Sequence, residues 1–207
     1  MKNLSMVLAG CVVLGFAAVA QDAATPEVLV PGDSEWKWLH PADGVDPAGA
    51  EPGFHENFAT PKYDDSKWQS GKDSAEAGGG FGYGDPVGVT WDTPEKENRK
   101  TGYLRHKFTT KAAMKDLVIS LQRDDGVIVY LDGKEAGRDN MAEGAEGYGL
   151  MASSIVSGEA ERTPVEIRLS GELAAGAHVL AISIHNRDGG SSDLRVAGIT
   201  LKGVPAK

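Results

Sequence analysis

The feature that most restricts how this chain can fold is a series of short segments in which apolar and polar residues alternate with a period of two. In "YLRHKFT", Leu104, His106 and Phe108 fall on one side, and Tyr103, Arg105 and Lys107 on the other. Leu117, Ile119 and Leu121 alternate with Val118, Ser120 and Gln122, and "VEIRLS" (Val165, Ile167, Leu169) and "HVLAISIHN" (Leu180, Ile182, Ile184) repeat the pattern. Successive side chains of a strand point to opposite faces, so these segments are expected to be half-buried strands. "VIVYL", Val127 to Leu131, is apolar at every position, as a central strand covered on both faces would be. "EWKWL" reads as a first strand with Trp36 and Trp38 on one face, and "LRVAGITLKG" as the last. No stretch carries a long helical stripe, and "KAAMKD", Lys111 to Asp116, offers one helical turn at most.

Gly- and Pro-rich turns separate these strands, without the alternation of strands and helices that builds parallel sheets, so a single β-sandwich or barrel is expected. Asp132-Gly133 lies between two strand-like runs. Asp-Gly is favoured in two-residue type I′ turns, where both positions need positive φ, so Val127 to Leu131 and Lys134 to Arg138 should form a hairpin. Asp124-Asp125-Gly126 joins "LVISLQR" to "VIVYL" and is expected at the loop end of the sandwich, its carboxylates near the surface. "GGGFGYGD", Gly78 to Asp85, lacks the lysine and following helix of a phosphate loop and is expected to be a sharply bent strand.

The N-terminus has Lys2, an apolar run from Leu4 to Ala17, and a small-x-small pattern at Ala18 to Ala20. This predicts a signal peptide over residues 1–20 and a secreted or periplasmic protein. "LAGC" opens a lipoprotein alternative with Cys11 lipidated, although little apolar sequence precedes Cys11. The apolar run is too short to span a membrane, so no transmembrane segment is expected after cleavage. Cys11 is the only cysteine, so the mature chain would be held by its core alone. Residues 21–34, rich in Ala, Pro and acid, are expected to be a flexible lead-in to a domain over 35–203. Net charge is −9, and loss of Lys2 makes it −10. The charges are dispersed without a basic patch, which argues against nucleic acid and anionic membranes as partners.

Taken in order, Trp36, "YDDSKWQSG", "FGYGD", "YLRHKF", "LVISLQRDDGVIVYLDGKEAGRDNM", "HVLAISIHN" and "SSDLRVAGITL" resemble the galactose-binding-domain-like modules of secreted bacterial proteins, over roughly Trp36 to Gly203. The resemblance implies an antiparallel jelly-roll sandwich, a packing role for Trp68, a tendency to bind sugars, and a structural calcium in many members. Fold alone does not give function. Trp91, in the loop "GVTWDTPEKE", is either an exposed platform for a sugar ring or a buried loop anchor. Arg105, His185 and Asn186 are candidate polar contacts to a ligand. Asp124, Asp125 and Asp193, helped by Asn186 and backbone carbonyls, could gather oxygens for calcium. Turn chemistry is the competing reading for the Asp pair, with Arg123 or Arg105 neutralising it.

Enzyme motifs are missing. There is no H-E-x-x-H and no G-x-S-x-G, and His40, His55, His106, His178 and His185 lack ligand spacing. Asp64 with Asp65 reads as a turn before Trp68. The expected function is therefore a secreted, non-catalytic binding module for carbohydrate or glycan. A structural or interaction protein of the cell envelope is the alternative, and a glycan-active hydrolase is a third reading.

Overall fold

The computed structural model describes residues 24–144 and 146–206. The expected signal peptide and Cys11 lie outside them. Among the described residues the chain is a two-sheet β-sandwich, with twelve strands: β1 (Glu27–Val30), β2 (Glu35–Leu39), β3 (Gln69–Lys72), β4 (Phe81–Tyr83), β5 (Val89–Thr90), β6 (Thr101–Thr110), β7 (Met114–Asp124), β8 (Gly126–Leu131), β9 (Lys134–Asp139), β10 (Val165–Arg168), β11 (Gly176–His185) and β12 (Leu194–Pro205). One sheet runs β10-β7-β12-β4-β5, with β1 also paired to β12, and the other runs β3-β2-β6-β11-β8-β9. All pairs are antiparallel except the short β4–β5 pair, which is parallel.

The alternating segments place their apolar faces as expected. Leu104, Phe108, Val127, Val129, Leu131, Leu180, Ile182 and Ile184 from one sheet meet Leu117, Ile119, Leu121 and Ile167 from the other in the central core. A second cluster covers the outer face of the β6–β11–β8 sheet, where Tyr103, Ile128, Tyr130, Val179 and Ala181 pack under Phe54, Phe58 and Trp68. This explains why β8 is apolar throughout: every one of its residues is buried, between the core on one side and the outer cluster on the other.

The Asp132-Gly133 hairpin forms as expected, with φ of 50° and 88° and Leu131 opposite Lys134. Asp132 also ties the turn to β11, its carboxylate accepting from the Val179 N–H and bonding to His178 Nδ1. "FGYG" is indeed a bent strand. Gly82 has φ 151°, and a Cβ there would sit 1.9 Å from the Leu194 carbonyl oxygen, so only glycine permits the approach of β4 to β12.

Two local expectations are corrected. The lead-in is not wholly flexible, because Glu27–Val30 forms β1 and pairs with residues 201–203 of β12. "KAAMKD" makes no helical turn; a bend follows β6, and Met114 already opens β7. The four-residue helices are elsewhere, at α1 (Phe54–Asn57) and α2 (Glu159–Arg162). No helix among the described residues is long and apolar enough to cross a membrane.

Candidate functional site

Asp124-Asp125-Gly126 does not join neighbouring strands. It carries the chain from β7 in one sheet to β8 in the other, at an end of the sandwich. Asp124 and Asp193 line one cleft there, of about 370 Å³, with Asp125, the segment around Ile155 to Glu161, and the 187–193 loop. The expected convergence of "RDDG" with the loop after β11 is therefore present, but its chemistry differs from the expectation. Asp124 and Asp125 are buried, 3 % and 2 % exposed, rather than near the surface. Asp125 is structural: Oδ1 accepts from the Val156 N–H at 2.6 Å and Oδ2 from the Arg187 N–H at 2.7 Å, which fastens two loops to the end of β7. Among the described residues no N–H or hydroxyl donates to Asp124 Oδ2, and the Asp124 carboxyl lies against that of Asp125. Burial, with the Asp125 and Asp193 carboxylates close by, pushes the Asp124 pKa far above the ordinary carboxylate range.

Neither of the arginines expected to neutralise this pair, Arg123 and Arg105, does so. Arg123 is bound to Asp139, and Arg105 is fully buried against Asp65 at 2.9 Å while donating to the Phe58 and Thr60 carbonyls. Calcium takes 6 to 8 oxygens. With both Asp125 oxygens spent on backbone N–H groups, the residues present do not fit it, and among the described residues no group of three or more His, Cys, Asp or Glu is arranged to hold a metal.

The other sequence candidates are placed inside the protein rather than on a cleft. Trp91 is 2 % exposed and stacks between Trp38 at 5.6 Å and His40 at 4.9 Å, so it is the loop anchor and not the platform. Arg105 holds the outer layer to β6. His185 bonds through Nδ1 to Thr101 and the Leu150 carbonyl, and through Nε2 to Ser183; burial lowers its pKa to about 4 and keeps it neutral. Asn186 donates to the Tyr83 hydroxyl and the Arg99 carbonyl. Each of these polar groups is buried because it fixes a loop to the sandwich, which satisfies main-chain groups that would otherwise be stranded.

Sequence reasoning missed the larger cleft, of about 580 Å³, on the outer layer. The loop after β2 builds one wall. Asp46 caps the turn at Pro47–Gly49 by accepting from the Ala48 N–H, and its Oδ1 also meets His55 Nε2 at 2.8 Å. The floor is apolar, from Leu39, Pro41, Phe54 and Trp68, and Tyr63 lines it with its hydroxyl on Glu51. Burial and the Glu51 carboxylate push the Tyr63 pKa up to about 12. Asp43, Asp46 and Asp64 stand among the lining residues with Lys67. His40 also lines it, kept neutral by burial with a pKa of about 4 and, among the described residues, with Nδ1 unpartnered. The sequence signal was weak, because "HPADGVDPAGAEPG" shows only loop-forming residues.

No protein-family model matches the sequence, and no curated protein does. Among solved structures the chain is similar to a β-glucuronidase of an uncultured Clostridium species (16 % identity, 92 % of this chain and 31 % of that one, TM-score 0.41). It is also similar to the Ruminococcus gnavus β-glucuronidase (13 %, 91 % and 30 %, TM-score 0.45) and to Bacteroides uniformis β-glucuronidase 2 (19 %, 87 % and 18 %, TM-score 0.44). The chain spans less than a third of the length of these proteins, and likeness at this level carries no argument about activity.

Proposed function

We propose that this chain is an exported, non-catalytic, galactose-binding-like module that binds carbohydrate in the larger cleft. The observation that supports the reading is the composition of that cleft: an aromatic and aliphatic floor beside a rim of carboxylates. A sugar ring has an apolar face and a circumference of hydroxyls. The first matches the part-exposed Tyr63 ring and the exposed Val45 side chain, and the second matches Asp43, Asp46 and Asp64 as acceptors. Nothing in this arrangement requires a reacting pair. A glycan array probed with the chain from Gln21, in calcium and in chelator, tests the proposal. Binding to a defined set of glycans in both conditions is the expected result. Silence across the array, with an envelope protein co-purifying instead, would move the reading to the structural alternative.

A further inference from the structure

Two loops close the end of the sandwich, the segment before α2 and the 187–193 loop, and one carboxylate ties both. Asp125 Oδ1 accepts from the Val156 N–H at 2.6 Å, and Oδ2 from the Arg187 N–H at 2.7 Å. Accepting on both oxygens, Asp125 is ionised. Its side chain is also hydrogen-bonded to that of the buried Asp124. Ionised carboxylates only accept, so a bond between two carboxyls needs a proton, and here the proton is on Asp124. The surroundings resist its loss. Asp193 of the 187–193 loop and Glu161 of α2 add negative charge. Asp188 lines the same cleft, and Arg187 is exposed. Arg162 of α2 is bound to Asp85, and Asp139 of β9 to Arg123. On β12, Arg195 faces Asp124 and favours its ionised form, but its guanidinium donates to Gln122 Oε1 and the Gly79 carbonyl. Tyr83 of β4 is held neutral by burial, its hydroxyl accepting from Asn186.

We propose that the Asp124–Asp125 pair is a pH-sensitive clasp: while Asp124 keeps its proton the two loops stay closed over the loop-end cleft, and loss of that proton to water releases them. Ionised Asp124 would sit without hydration beside the Asp125 carboxylate. Lifting the loops lets water reach it and relieves both the desolvation and the repulsion, at the cost of the bonds to Val156 and Arg187. A raised Asp124 pKa, about 8, agrees with this arrangement. In the open form Asp124 is hydrated and titrates as an ordinary carboxyl. Below about pH 8 each opening therefore releases one proton, and above it none. Opening grows as pH rises from the carboxylate range to about 8 and then levels off.

Amide hydrogen exchange of the chain from Gln21, followed by NMR from about pH 5 to about pH 9, tests this. In wild type the protection factors of the Val156 and Arg187 amides should fall by up to about tenfold per pH unit as far as about pH 8, and then level off. Asp124→Asn keeps an N–H donor for Asp125 and has no proton to lose, so its protection at both amides should not change with pH. The Ala48 N–H, bonded to Asp46 at the larger cleft, reports on opening elsewhere and should behave alike in both proteins. Wild-type protection at Val156 and Arg187 that is independent of pH overturns the proposal, and this result decides even if the variant fails to fold. The same slope in Asp124→Asn overturns it as well. So does a parallel loss of protection at Ala48, which is unfolding of the whole sandwich and not release of two loops.

Discussion

Asp124 and the two buried histidines give the fold opposite responses to pH. The Asp124 pKa is raised in the folded protein, so the native state holds a proton that the unfolded chain has released, and stability falls as pH rises from the ordinary carboxylate range toward the raised value. His40 and His185 are lowered to about 4, so the unfolded chain binds protons that the native state refuses, and stability rises with pH from about 4 to 6.5. Well above pH 6.5 these two histidines are neutral in both states. Urea titrations in that range should show wild type losing stability with pH more steeply than Asp124→Asn, and parallel pH profiles would reject the assignment. Arg105 makes a different prediction. Asp65→Ala leaves a buried guanidinium without its carboxylate and should cost about 3–5 kcal/mol in urea unfolding. Residue roles were the least legible part of the sequence. Nothing around Trp91 reveals that Trp38 and His40 lie on either side of it, and Arg105 does not announce a partner forty residues earlier. Burial of a polar or aromatic side chain is decided by contacts across the sheet, which short-range patterns do not carry.

Strands were legible in proportion to how local their cause is. The alternation in β6, β7 and β11 and the Asp-Gly turn between β8 and β9 arise within a few residues, and they appear where the pattern puts them. β1 was missed because "EVLV" is held by pairing with the far end of the chain, residues 201–203. "KAAMKD" was misjudged because the pairing of Met114 and Lys115 with β12 outweighs a short helical preference. The bend at "FGYG" gives a direct test of the element scale. Gly82→Ala would drive a Cβ into the Leu194 carbonyl and should destabilise by more than about 2 kcal/mol. Gly149→Ala, with nothing within 4 Å of the added Cβ, should stay within about 0.5 kcal/mol of wild type. Equal melting temperatures for the two variants would show that β4 does not need its glycine.

At the scale of the molecule, the sandwich supports a second apolar layer. The segments after β2 and around α1 fold over the outer face of the β6–β11–β8 sheet, and the larger cleft lies in that cover, not at the loop end where the sequence directed attention. That location could not be read in advance, because it depends on where Pro- and Gly-rich loops come to rest. It also separates the proposed sugar contact from Trp91, which the sequence alone favoured. The most direct measurement is isothermal titration of the best glycan from the array against wild type, Tyr63→Leu, Asp43→Asn and Trp91→Phe. Loss of the Tyr63 ring or of the Asp43 charge should weaken binding by about tenfold, on the scale of one stacking or hydrogen-bonding contact, while Trp91→Phe should lower stability and leave affinity unchanged. Full affinity in both Tyr63→Leu and Asp43→Asn would contradict a sugar site in the larger cleft.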